Sequence, residues 1–69
     1  MKYVVVFEPT GNGFSAYVPD LPGCVAAGDT HEEVETLIRE AIGYHVELLK
    51  EKGEPIPEPG VTTGLVEVA

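Results

Sequence analysis

The sequence predicts an α+β fold in the order βββαβ, a small sheet with one long helix packed on one face. Three observations carry this: an apolar repeat of helical period between capping signals at Asp29 and Gly53, a β-branched run near the N-terminus followed by dense turn chemistry, and a last apolar alternation after a proline-rich segment.

The helix is the best-marked element. Thr30 stands at the N-cap position, and Glu33 three residues on completes a capping box that satisfies two orphan backbone N–H groups. Glu32, Glu33 and Glu35 fill the first turns while Lys50 and Lys52 fill the last, in the sense that suits the helix dipole, and Gly53 occupies the place of a left-handed terminator. Val34, Leu37, Ile38, Ala41, Ile42, His45, Leu48 and Leu49 share one face. Tyr44 and Val46 widen that apolar arc to roughly 200°, more than one sheet can cover, so part of it is expected to meet a second chain. Glu33, Glu40, Glu47 and Glu51 lie opposite as an acidic ridge.

The strands follow from residue type. Lys2 to Glu8 is β-branched and aromatic, with Tyr3, Val5 and Phe7 on one face and Val4 and Val6 on the other. Both faces being apolar, it is expected as a central strand. Pro9 to Gly13 forms the hairpin loop, Phe14 to Val18 returns as the second strand, and Pro22-Gly23 suits the centre of a type II turn before a short third strand from Cys24 to Ala27. After the helix, Glu54-Pro55-Ile56-Pro57-Glu58-Pro59 is expected to run extended along the surface as a stiff strap. Leu65, Val66 and Val68 supply a last strand, which a right-handed crossover sets parallel to the first.

Length limits the chain to one domain, residues 1–69. A chain this short buries only about 60% of its unfolded surface, and a lone Cys24 with no Cys/His cluster offers neither disulfide nor structural metal as support. A homo-oligomer, dimer or tetramer, is therefore expected, with Tyr44, Val46, Leu65, Val66 and Val68 nearest its contacts. One unpaired cysteine, no secretory signal and no membrane-length apolar run suit a cytoplasmic protein that meets no membrane. Twelve acidic against four basic residues give a net charge of −8. Lys2, Arg39, Lys50 and Lys52 are too few and too scattered to engage a phosphate backbone directly.

Enzyme chemistry finds little footing. A metal-dependent nuclease needs several converging carboxylates, but the first strand centres on Val4, Val5 and Val6, leaving only Glu8 and Glu67 as a remote pair. Cys24 has no basic neighbour to activate it and reads as a packing residue. His45 projects from the apolar arc as a core or interface histidine, and His31 is expected to be exposed. Gly11-Asn12-Gly13 precedes a strand, whereas a nucleotide loop opens a helix. No cofactor is called for.

The run from Phe14 to Ile42, FSAYVPDLPGCVAAGDTHEEVETLIREAI, followed by the Gly53-Glu54-Pro55-Ile56-Pro57 strap, resembles the HicB family of small antitoxins. The resemblance covers Tyr3 through Pro59 and implies a partial ribonuclease H-like domain, βββαβ, which agrees with the order read from periodicity. It further implies a non-enzymatic protein that binds and neutralises a HicA-type toxin, a small basic RNA-cleaving protein. Family members often continue into a DNA-binding segment, which is not evident before Ala69. The acidic ridge Glu33, Glu40, Glu47 and Glu51 is the expected toxin contact, imitating the charge of the RNA. The other reading is a self-associating structural module with no toxin.

Overall fold

The computed structural model describes residues 1–69. Three strands, β1 (Val6–Pro9), β2 (Phe14–Tyr17) and β3 (Val25–Gly28), precede one helix, α1 (His31–Glu51). The sheet is wholly antiparallel in the order β1-β2-β3. Phe7 pairs with Ala16, which pairs with Ala26, and Phe14 pairs with Gly28. These positions face the helix. The alternate row Val6–Tyr17–Val25 faces away from it.

The core lies where α1 crosses this face. Val34 and Ile38 bury against Ala16, Val18, Leu21 and Cys24, with Tyr3, Val5, Phe7, Phe14, Ala26, Ala41 and Ile42 packed round them. Only six side chains are fully buried, and Leu21 and Val34 alone reach 0% exposure. Leu21 gets there because two turns fold it inward. Its N–H donates to the Val18 carbonyl at 3.0 Å, and the Cys24 N–H donates to the Leu21 carbonyl at 3.0 Å around Pro22-Gly23, where Gly23 takes φ +83°. The glycine at that turn is required by its backbone angle.

Both helix ends form as their residues dictate. Thr30 Oγ1 accepts from the Glu33 N–H at 3.1 Å. The return bond of the box reaches one residue further back than expected, the Asp29 N–H donating to Glu33 Oε1 at 2.9 Å. At the other end the Glu54 N–H donates to the Leu49 carbonyl at 2.9 Å and the Gly53 N–H to that of Lys50 at 3.1 Å, with Gly53 at φ +68°. This pair of bonds around a left-handed residue is the Schellman stop.

A helix of 21 residues is about 31 Å long, whereas a four-residue strand spans about 13 Å, so α1 overhangs the sheet. Its apolar residues are buried only in the first half, at Val34 and Ile38. The overhang makes the molecule long, 47 × 28 × 16 Å, with a radius of gyration of 13.6 Å against roughly 11 Å for a compact chain of this length.

Two expectations are corrected. No fourth strand forms: residues 54–69 carry no regular secondary structure, and Leu65, Val66 and Val68 are 104%, 87% and 83% exposed. Ordering some five residues costs about 1–2 kcal/mol each, and the two valines such a strand would turn inward return about 1.5–3 kcal/mol each, too little to hold it. In consequence β1 is not central. It is an edge strand, starting at Val6 rather than Lys2, and β2 takes the middle. The proline strap does lie along the surface, fastened where the Tyr3 hydroxyl donates to the Pro57 carbonyl and where the Gly60 and Val61 N–H groups each donate to Asp20 Oδ2 at 3.2 Å.

Two glycines allow the hairpin to approach the helix start. A Cβ on Gly13 would strike the Gly28 carbonyl oxygen, and one on Gly28 would strike the Glu33 carboxylate. Backbone cannot yield as a side-chain tip can. Gly13→Ala is expected to cost about 2–3 kcal/mol in urea unfolding and Gly28→Ala about 1 kcal/mol, the second by loss of the Glu33 bond to Asp29. Equal midpoints for the two variants would contradict the packing described here.

Candidate functional site

The chemistry-bearing side chains do not gather. Cys24 is a free, buried thiol 3% exposed, and burial pushes its pKa up, which disfavours the thiolate a nucleophile requires. His45 is half-buried, and no buried side-chain N or O atom is left without a hydrogen-bond partner. Glu8 and Glu67 are both exposed, and no three His, Cys, Asp or Glu side chains are placed to hold a metal ion. No helix is long and apolar enough to cross a membrane.

Surfaces dominate instead, and three can be distinguished. The first is the solvent face of α1. At the helical period Glu33, Glu40, Glu47 and Glu51 fall within about 40° of one another, and all four are exposed. Tyr44 rises among them at 73% exposure, flanked by Leu37 and Leu48 at 39% and 37%. Glu33 is partly committed, since its carboxylate closes the cap on Asp29. Beside the ridge Arg39 meets Glu35 at 3.4 Å in an exposed pair that contributes little to stability.

The second surface is a groove of about 700 Å³ between the outer edge of β1 and the helix, floored by Tyr3, Val5, Phe7, Ile38 and Ile42 with Glu35 and Arg39 at its rim. At its end His31, although exposed as expected, stacks its ring on Phe7 with centroids 4.1 Å apart and meets the edge of Phe14 at 5.7 Å. Sequence reasoning missed this contact. Its signal was present, because a short hairpin must bring Phe7 and Phe14 under the helix start. The third surface is the outer sheet face, where Tyr17 and Val25 are 42% and 64% exposed beside Val6.

Residues 3–67 match the sequence profile of the HicB-like antitoxins of bacterial toxin-antitoxin systems. The chain belongs to that family. It is 40% identical over 58 residues to an uncharacterised 14.9 kDa protein of Haemophilus phage HP1, covering 84% of this chain and 44% of that protein. A UPF0150 protein of Thermoplasma acidophilum is 41% identical over 58 residues, covering 83% and 84% of the two chains. Antitoxin HicB 1 of Photorhabdus laumondii is 36% identical over 61 residues, covering 87% of this chain and 39% of the antitoxin. The chain thus spans less than half of the phage protein and of that antitoxin.

Solved structures agree in fold. A chain of the HicA3 and HicB3 toxin-antitoxin complex superposes with a TM-score of 0.72 at 35% identity, over 87% of this chain and 70% of that one. The crystal structure of antitoxin HicB3 gives 0.69 at 37% identity, over 83% and 42%. Three antiparallel strands followed by one long helix are therefore the shared frame of this HicB-like chain and those antitoxins.

The buried Cys24 of this HicB-like domain has a measurable signature. The folded chain holds the thiol proton more tightly than the unfolded chain does, so stability is full below the ordinary thiol pKa of about 8.5 and falls as pH rises through it. Urea midpoints taken from pH 8 to pH 10 should fall more steeply for the parent chain than for Cys24→Ala. Parallel curves would show that burial of the thiol does not bear on stability.

Proposed function

We propose that this HicB-like domain binds and neutralises a basic, RNA-cleaving toxin of the HicA type, that it does so without catalysis, and that it meets this partner in the cytoplasm. Family membership and the likeness to a chain of the HicA3 and HicB3 complex support the class of partner. The observation that carries the reading to a surface is the placement of charge. Six of the twelve carboxylates lie on α1, at Glu32, Glu33, Glu35, Glu40, Glu47 and Glu51.

A nuclease must hold phosphates against positive charge, and an acidic ridge on a rigid helix suits such a surface. Glu40, Glu47 and Glu51 are the free members, and Tyr44 among them provides an aromatic anchor of the kind that carries binding energy at interfaces. Glu33 contributes field more than contact, its carboxylate being tied to Asp29. A protein partner fits better than nucleic acid, since only Lys2, Arg39, Lys50 and Lys52 are basic.

A self-associating module without a toxin is the second reading, favoured by the apolar area left outside the core at Tyr44, Leu65, Val66 and Val68 beside the half-buried Val46. Under this second reading we propose these residues as the oligomer contacts. Capture of a small basic protein from the native host by the tagged chain separates the two. For the first reading, Glu40→Gln with Glu47→Gln is expected to slow toxin association roughly three- to tenfold at low salt and to flatten its salt dependence. An association rate unchanged at low and moderate salt would remove the ridge from the mechanism.

A further inference from the structure

The segment before β1 is built as a strand but has no strand to pair with. Tyr3 and Val5 pack on the core together with Phe7, while Val4 and Val6 do not, so strand alternation runs on from β1 back to Tyr3. β2 does not follow it: its ladder to β1 ends at Tyr17, and Val18 faces β3, its N–H donating to the Cys24 carbonyl at 3.1 Å as strand alternation requires. Pro19 then has no N–H to give. Of the eight backbone hydrogen bonds outside the helix and strands, none involves residues 1–5. Val4 and Val5 are nonetheless half-buried, an environment in which backbone polar groups are ordinarily paired.

The sequence of this segment is self-complementary. Turned about Val5, Lys2-Tyr3-Val4-Val5-Val6-Phe7-Glu8 sets Lys2 opposite Glu8, Tyr3 opposite Phe7, Val4 opposite Val6 and Val5 opposite itself. Each is a favourable cross-strand pair: opposite charges, two aromatics, two β-branched residues. A parallel pairing would oppose Lys2 to Lys2 and Glu8 to Glu8. The other open edge, Val25-Ala26-Ala27-Gly28 of β3, has small residues and no charge to set a register.

We infer that a second copy of this chain adds antiparallel to the outer edge of β1, about a two-fold axis through Val5, giving one continuous six-stranded sheet. The axis stands perpendicular to the sheet, so both α1 helices lie on the same side. The second copy then lies along the groove floored by Tyr3, Val5, Phe7, Ile38 and Ile42 and closes it. Adding a strand to an exposed edge is a general mode of association, and here both partners supply the same edge. The inference does not rest on the antitoxin reading, and it uses a surface apart from the acidic ridge, Tyr44 and Leu65, Val66 and Val68, meeting the strap at the Tyr3 hydroxyl.

The test uses the full chain. Sedimentation should show a dimer at tens of micromolar for the parent, an apparent dissociation constant about tenfold or more weaker for Lys2→Glu or Glu8→Lys alone, and recovery in the double variant, because both residues are exposed and each single change opposes like charges twice. In a Cys24→Ala background, chains carrying Val4→Cys should cross-link on oxidation with chains carrying Val6→Cys, and neither with itself. A monomeric parent overturns the proposal. So does a dimer indifferent to the charge exchange whose mixed cysteine chains do not cross-link, since a second copy would then be held elsewhere and the β1 edge left to the chain's own tail or another protein.

Discussion

Everything in this structure depends on one contact, that of Val34 and Ile38 with the inner face of a three-stranded sheet at Ala16, Val18, Leu21 and Cys24. One helix covers one face, and no second layer is present for the other. The consequence is a core of six residues supporting a chain of 69, near the lower limit at which a single core suffices. Precision at the ends of the elements compensates. The Thr30 cap, the Glu33 return bond and the Schellman turn at Gly53 satisfy helix-end groups that a larger core would tolerate less well paired.

The same constraint decides which surfaces are free for function. Because α1 is longer than the strands are wide, its solvent face forms an uninterrupted ridge in which Glu40, Glu47 and Glu51 surround Tyr44. Because the strap is drawn across to Tyr3 and Asp20, it leaves that ridge bare. The uncovered edge of β1 is the third consequence, a row of backbone groups beside an apolar groove. The surfaces left open in this HicB-like chain are thus those that one helix cannot cover.

Much of this was legible in the sequence because local chemistry specifies it. The helix from Thr30 to Gly53 and the turn at Pro22-Gly23 each depend on residues within a few positions of one another, and each formed as read. The fourth strand failed for the opposite reason. Leu65, Val66 and Val68 have the alternation of a strand, but pattern alone does not supply a partner or a buried face, and in one chain neither is available. The misplacement of β1 as central followed directly, since that fourth strand was expected beside it, and without it β1 is left at the edge. The stacking of His31 on Phe7 was missed although the short hairpin signalled it, because the two residues stand 24 positions apart and meet only through the hairpin's docking.

The inferred association at the edge of β1 would complete the three-stranded sheet of this domain. Hydrogen exchange of the Tyr3 and Val5 amides, which strand alternation turns to the outer edge, tests it most directly when followed across protein concentration, since no backbone partner within the chain protects them. Protection that grows with concentration at these amides, while those of α1 stay constant, is the predicted result. Fast exchange at every concentration would contradict it.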